Sequence, residues 1–221
     1  MKRRTLDFAF STGGLALAVL LAVLGVVMTS NANFAHNYVK NQLSEQNISF
    51  APAKSLTAEE KASPCVVANA GKALTTGKQA ECYANDFIGL HVKGIADGKT
   101  YADLGAPLTA LKTQIAALPA DAPNRAALVG QQTAMTAQRE SLFKGETLRG
   151  LLLTSYGFSV FGVKGGQVAT VAYGVAALLA LLSLAGLAHA LRTSDEEAFA
   201  APKERVVTTN NKTGGKKLVT A

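Results

Sequence analysis

The apolar stretch at residues 8–28, FAFSTGGLALAVLLAVLGVVM, decides the fold class of this chain. An α-helix needs about twenty such residues to cross a hydrocarbon core of roughly 30 Å. A second stretch at residues 168–191, VATVAYGVAALLALLSLAGLAHAL, contains no Asp, Glu, Lys or Arg and ends just before Arg192. The sequence therefore predicts two transmembrane helices, over residues 8–29 and 167–191.

Basic residues flank the two stretches on their far sides. Cationic flanks stay on the cytoplasmic side of a membrane. We therefore predict a multi-pass protein of the cell membrane with both termini cytoplasmic, residues 1–7 at one end and a disordered tail over 192–221 at the other. Residues 30–166 then form a domain outside the cytoplasm. The flanking cations are Lys2, Arg3, Arg4, Arg192, Lys203, Arg205, Lys212, Lys216 and Lys217.

Two other topologies are compatible with these flanks. Ser30-Asn31-Ala32 offers the small residues of a signal-peptide cleavage site, although the apolar run before it exceeds the usual length of about 7–15 residues. Residues 151–163 are also apolar but too few to cross, and glycines at 162, 165 and 166 interrupt them. We interpret 151–163 as a helix at the outer membrane interface, where aromatic residues are favoured. A third crossing that places the tail outside is the alternative.

The region between the spans has the periodicity of helices. Apolar residues recur every three or four positions, which predicts amphipathic helices, and strand-like alternation is missing. Residues 33–46 continue the first span as a stalk. The predicted fold class is all-α, two transmembrane helices flanking a small extracytoplasmic helical bundle. The three patterns are Ala80, Tyr83, Ala84, Phe87, Ile88, His91, Val92 and Ile95; Leu104, Leu108, Leu111, Ile115 and Leu118; and Leu128, Met135 and Leu142.

Cys65 and Cys82 are the only cysteines, and both fall in the region assigned to the outside. In an oxidising compartment such a pair is typical of a disulfide. The bond would join the linker around Pro64 to the helix that contains Tyr83. A zinc site would need further Cys or His ligands, which this spacing does not supply.

Small residues recur at four-residue spacing within each span. Such stripes let two helix backbones approach closely, so they favour packing of the spans on each other or on a partner's helix. The other interpretation is that Ala and Gly are simply common in membrane helices. The residues of the two stripes are Gly14, Ala18 and Ala22, and Ala172, Ala176 and Ala180.

Chemistry-bearing motifs are missing from the sequence. Gly98-Lys99-Thr100 lacks the upstream glycine of a phosphate-binding loop, because Lys93 stands there. His91 follows the apolar face of its helix and is predicted to be a hydrogen-bonded core histidine. The net charge of +7 is spread along the chain, which argues against nucleic-acid binding. We expect no enzyme activity, no cofactor, no metal and no small-molecule substrate.

Several short stretches together resemble a group of uncharacterised actinobacterial two-span membrane proteins with an extracytoplasmic helical domain. The resemblance implies a location in the cell envelope and no particular activity. The stretches lie at residues 2–7 (KRRTLD), 33–35 (NFA), 38–39 (YV), 42–43 (QL), 79–81 (QAE), 83–85 (YAN), 86–89 (DFIG) with His91, 98–101 (GKTY) and 143–150 (FKGETLRG).

The function we expect is that of a non-enzymatic accessory or structural subunit of a cell-envelope membrane complex, a respiratory assembly being one guess. Membrane lipid and protein partners within that complex are the expected contacts. The membrane-facing surface formed by 33–46 and 151–163 is the first candidate for a partner site. The alternative is an extracytoplasmic helical sensor or signalling module, against which the short tail argues.

Overall fold

The computed structural model describes residues 3–194, and that range is almost entirely helical. The all-α prediction is confirmed, since the only strand-like pairing in the described range is an isolated bridge between Ser49 and Ala73. The predicted tail lies outside the described residues from position 195 onward, as does Lys2. The helices are α1 (Arg3–Glu45), α2 (Ala58–Lys61), α3 (Pro64–Asn69), α4 (Gly77–Cys82), α5 (Gly89–Ile95), α6 (Gly105–Ala117) and α7 (Arg125–Arg192).

The chain divides into two compact units. The paired-helix unit comprises Met1–Val26 and Ala169–Ala221, and the central unit comprises Val27–Val168. Helices α1 and α7 each contribute residues to both units. All the shorter helices belong to the central unit, together with a 3₁₀ turn at Ala53–Ser55 and a π-helix at Tyr83–Ile88.

The segment 151–163 does not form a separate helix, and its place at the outer membrane interface stays a prediction. It lies inside α7, which continues through the glycines at 162, 165 and 166. Each glycine costs about 1 kcal/mol in a helix interior. Packing offsets this cost, because a Cβ atom on Gly162 would lie only 2.9 Å from the Cβ of Ala35 on α1. The three glycines therefore allow close helix contact and do not end the helix.

Short helices of the central unit begin at well-formed caps. The hydroxyls of Thr57 and Thr76 accept hydrogen bonds from the backbone N–H of Glu60 and Gln79, whose side chains accept from the cap residues in return. This reciprocal arrangement satisfies two otherwise unpaired donors at each helix start. Ser63 caps α3 ahead of Pro64 through its hydroxyl alone, which accepts a hydrogen bond from the backbone N–H of Val66. Local sequence thus fixes where these short helices begin.

The core of the central unit lies where α1 and α7 meet the shorter helices. Phe50, Val66, Leu74 and Leu142 are its largest fully buried side chains. The predicted helix around residue 83 is observed, but it is divided into α4, the π-helix and α5. Further buried members of the core are Val39, Leu43, Leu56, Ala80, Ala84, Ile88, Val92, Ala96, Leu104 and Leu152.

Helix α6 is amphipathic, as the sequence pattern predicts, and lies beside the first part of α7. Its residues Leu108, Leu111 and Ile115 are buried. The guanidinium of Arg125 donates to the backbone carbonyls of Ile115 at 2.8 Å and of Leu118 at 2.9 Å. Carbonyls at the end of a helix lack partners within the helix. One arginine therefore closes the end of α6 and fixes the turn into α7.

Candidate functional site

Small residues form the contact between α1 and α7 in the paired-helix unit. The hydroxyl of Ser183 lies where a Cβ on Gly14 would be, and the hydroxyl of Ser11 lies where a Cβ on Gly186 would be. The serine of each helix therefore contacts the glycine of the other helix. Within each helix the serine and the glycine are three residues apart. Close approach at such positions gives van der Waals packing that larger side chains would prevent.

Most of the buried small residues recur at seven-residue spacing, and Ala172 is buried in addition. Those at seven-residue spacing are Ser11, Ala18 and Gly25 on α1, and Ala169, Ala176, Ser183 and Ala190 on α7. A seven-residue repeat is the pattern of helices that wind around each other with a left-handed twist. Of the residues predicted from four-residue spacing, three are buried and three are half-buried. The buried ones are Ala18, Ala172 and Ala176, and the half-buried ones are Gly14, Ala22 and Ala180.

Large apolar side chains of the paired-helix unit point away from this contact. In the most apolar windows of α1 and α7, only 17 % and 22 % of residues are buried. Both helices are long and apolar enough to span a membrane. A core helix of a soluble protein would bury such a window. The exposed large residues are Phe10, Leu17, Val19, Leu20, Val23, Leu24 and Val26 on α1, and Val171, Val175, Leu178, Leu181, Leu182, Leu184 and Leu191 on α7.

A contact between His189 and Asp7 joins α1 and α7 at one end of the paired-helix unit. The Nδ1 atom of His189 lies 3.1 Å from a carboxylate oxygen of Asp7. The two residues are 182 positions apart in the sequence. The antiparallel arrangement of α1 and α7 brings them together.

A groove in the central unit runs between the second half of α1 and the middle of α7. Its volume is about 380 Å³, and no charged residue lines it. This volume is within the usual range for binding sites, roughly 300–1,000 Å³. The lining residues are Tyr38, Val39, Gln42, Leu43, Gln46, Ile48, Leu148, Leu151, Leu152, Thr154, Ser155 and Phe158.

Aromatic rings cluster at one end of this groove. The ring of Phe158 makes edge contacts with Phe34 at 6.4 Å and Tyr38 at 5.7 Å between centroids, and Phe34 stacks on Tyr38 at 5.8 Å. These rings remain exposed, Phe34 at 61 %, and Phe161 one turn further along α7 is 77 % exposed. We call Phe34, Tyr38, Phe158 and Phe161 the aromatic patch. It lies within the stretches 33–46 and 151–163 that the sequence indicated as a partner surface.

Two of the hydroxyls along the groove are already hydrogen-bonded. Thr154 donates to the carbonyl of Gly150 at 2.9 Å, and Ser155 donates to that of Leu151 at 3.1 Å. The other polar groups of the lining are the Tyr38 hydroxyl and the exposed amides of Gln42 and Gln46, all uncharged. The groove therefore favours an uncharged, mainly apolar occupant.

The two cysteines lie at disulfide distance, as the sequence predicted. Their Sγ atoms are 2.02 Å apart, and the bond joins α3 to the end of α4. A carboxylate oxygen of Asp86 lies 2.8 Å from the Cys65 sulfur. These three residues are close enough to suggest a metal site, but sulfur atoms bonded to each other are not thiolate ligands. One carboxylate is then left, which is too few ligands to hold an ion.

A second polar cluster involves Glu60 and His91, and the sequence prediction for His91 as a core residue is wrong. Its side chain is half-exposed, with Nδ1 2.7 Å from the carbonyl of Phe87 and Nε2 3.4 Å from the buried carboxylate of Glu60. Both ring nitrogens therefore face acceptors, and neither is free for a substrate proton.

The pKa of Tyr83 is raised, first by burial of its ring and secondly by the negative charge of Glu60. The ring of Tyr83 stacks on that of Phe87. Sequence periodicity gave no signal for Glu60, because its burial depends on the fold of the 58–61 turn.

Comparison of the chain with protein-family models, with curated proteins and with solved structures finds no match in any of the three. A functional conclusion therefore has to come from the geometry of the two units.

Proposed function

We propose that this chain is a non-enzymatic integral membrane protein and serves as an accessory or structural subunit of a cell-envelope membrane complex. In this proposal α1 and α7 cross the bilayer over residues 8–29 and 167–191, with both termini in the cytoplasm. The central unit then stands outside the cytoplasm. Membrane lipid and protein partners are its contacts.

The arrangement of side chains in the paired-helix unit carries the membrane part of the proposal. Small residues are buried between the helices, while large apolar residues face outward. Each Val, Leu or Phe left in water forgoes about 1.5–3 kcal/mol of burial. In a bilayer this cost disappears, because lipid tails surround the outward faces. The same distribution is typical of membrane helix pairs.

The disulfide and the aromatic patch support the placement of the central unit. Disulfides persist in oxidising compartments and are rare in the cytoplasm. Aromatic residues are enriched where a membrane protein leaves the hydrocarbon core. Phe34 follows the first predicted span by five residues, and Phe161 precedes the second by six.

The accessory role is supported by an exposed apolar surface outside the predicted spans. Soluble monomers rarely expose apolar patches larger than a few hundred Å², and larger ones mark interaction sites. The groove and the aromatic patch form such a surface on the central unit. Its lining offers no charged group for acid–base chemistry.

Topology is tested by thiol labelling in intact cells. The described cysteines are paired, so a cysteine introduced by Lys40→Cys or Lys203→Cys is the only free thiol. A membrane-impermeant maleimide is expected to label the Lys40→Cys variant in intact cells and the Lys203→Cys variant only after permeabilisation. The opposite order, or release of the chain by alkaline carbonate, would refute the proposed membrane topology.

The accessory role is tested by purification from native membranes in a mild detergent. We expect a protein partner at constant molar ratio through two different separations. A variant with Leu151→Glu is expected to lose that partner, while the matched variant Val129→Glu, also at an exposed apolar position of α7, retains it. Recovery of the chain alone as a monomer would contradict the role.

A further inference from the structure

We propose that the groove and the aromatic patch bind one apolar, uncharged helical segment of a protein partner, about four turns long. This inference rests on the proposed membrane location and specifies the partner for the same surface. It is carried by the size of the exposed surface, its lack of charge and its position along two antiparallel helices.

The exposed area is comparable to the largest apolar patch of a typical single chain, which is often a functional site. With roughly 200 Å² per aromatic side chain, the four rings of the aromatic patch leave about 450 Å² exposed. Exposed Leu148 and Leu151 extend this area along the groove. A stable interface needs about 800 Å² from each partner. The surface therefore supplies more than half of a standard interface before any other contact is added.

The shape of the surface favours a helix as its occupant. Leu148, Leu151, Phe158 and Phe161 follow one another at spacings of three, seven and three residues along α7. They cover fourteen residues, a length of roughly 20 Å along the helix axis. A groove between two neighbouring helices accepts the side-chain ridge of a third at an axis distance of about 8–10 Å. A helix of about four turns matches that length.

The lack of charge in the groove determines which residues the partner's helix can place against it. A carboxylate or ammonium placed against the groove would be desolvated without a partner, because no charged residue lines it. The hydroxyls of Thr154 and Ser155 already donate to backbone carbonyls of their own helix, so they offer no free donor. A phospholipid headgroup would lack a cation for its phosphate in the lining. The buried face of the occupant is therefore apolar, with at most neutral polar groups opposite Gln42 and Gln46.

Photo-crosslinking in native membranes tests this inference. The photoreactive amino acid p-benzoylphenylalanine is placed at Leu151 or Phe161, and at Val129 as the matched control position. After irradiation we expect one discrete protein adduct from the first two positions and none from the control. Mass spectrometry of the adduct is expected to map the crosslink to a segment of at least twelve residues that is apolar and free of charge on one helical face.

Four results would overturn the inference: an adduct at twice the chain mass, which indicates a second copy; adducts with lipid alone; a crosslinked peptide that is charged or non-helical; and no adduct. Addition of Leu151→Glu to the chain labelled at Phe161 is expected to reduce the adduct at least tenfold. An unchanged yield would also overturn it. A partner that co-purifies but crosslinks elsewhere leaves the accessory role intact and removes only this inference.

Discussion

Gly77 offers the sharpest test of packing between α4 and α7. A Cβ atom at this position would overlap both the Cβ and the hydroxyl of Ser159 and would approach the Cα of Tyr156 to 3.4 Å. Rotation of the Ser159 hydroxyl cannot relieve an overlap with its Cβ. Overpacking of this kind costs about 1–3 kcal/mol, and we expect Gly77→Ala to fall in the upper part of that range.

The expected change is measurable as a shift in Tm. For a chain of this size 1 kcal/mol corresponds to about 2–4 °C, so a loss of about 2–3 kcal/mol lowers Tm by about 4–12 °C. The assay is thermal unfolding of the full-length chain in a mild detergent, followed by near-UV circular dichroism of the tyrosines. Tyr83 and Tyr156 both lie in the central unit and report its packing.

Three further variants separate overpacking from a general effect of the substitution. Gly94→Ala is the control, because a Cβ at this helical glycine meets nothing within 4 Å. It is expected to be neutral or to gain up to about 1 kcal/mol. Ser159→Ala keeps the clashing Cβ and is expected not to rescue Gly77→Ala, whereas Ser159→Gly is expected to show favourable coupling with it in a double-mutant cycle. The reasoning is refuted if Gly77→Ala unfolds at the wild-type temperature, or if Ser159→Gly shows no coupling.

Three other predictions concern the central unit. Replacement of Cys65 and Cys82 by serine removes a cross-link over 17 positions and is expected to cost about 3 kcal/mol, which reduction of the wild-type chain should reproduce in thermal unfolding. Because the pKa of Tyr83 is raised above 10.0, its contribution to stability is complete below about pH 10 and is lost as the pH rises through the higher folded value. Tyr83→Phe should therefore weaken the alkaline dependence of Tm, and an unchanged slope would argue against the buried environment of this ring. Hydrogen bonds from the backbone and hydroxyl of Thr100 hold the pKa of Asp103 below 3.8, so its contribution is present above that pH and is lost as the pH falls through the folded value. Asp103→Asn should therefore flatten the fall of Tm at pH values below 3.8. Identical acid unfolding profiles for variant and wild type would show that the hydrogen bonds between Thr100 and Asp103 are absent.

Periodicity in the sequence predicted the helices of the central unit but not their exact form. The apolar pattern around residue 83 indicated one α-helix, and the structure has α4, a π-helix and α5. A π-helical turn changes the hydrogen-bonding step only locally. The buried residues Ala80, Ala84, Ile88 and Val92 keep a four-residue spacing across it. Hydrophobic pattern therefore cannot distinguish it from an α-helix.

The candidate surface was predicted in outline. The stretch 33–46 was predicted as a stalk that continues the first span, and 151–163 as an apolar helix beside the second; residues of both line the groove. The two stretches lie side by side on helices α1 and α7, and α7 continues through the glycines at 162, 165 and 166. The sequence had predicted that these glycines interrupt the helix. Helix propensity alone disfavours glycine, and only contact with Ala35 on the opposite helix shows why Gly162 is tolerated.

The sequence by itself determined that this chain is all-helical, that it contains two stretches long and apolar enough to span a membrane, and that its two cysteines can pair. These properties follow from composition and from periodicity within a single segment. The tertiary structure alone decided which small residues are buried between α1 and α7, which acid meets His189, and where the uncharged groove lies. Each of these depends on the relative register of segments far apart in the chain, and that register is set by side-chain packing across the whole contact.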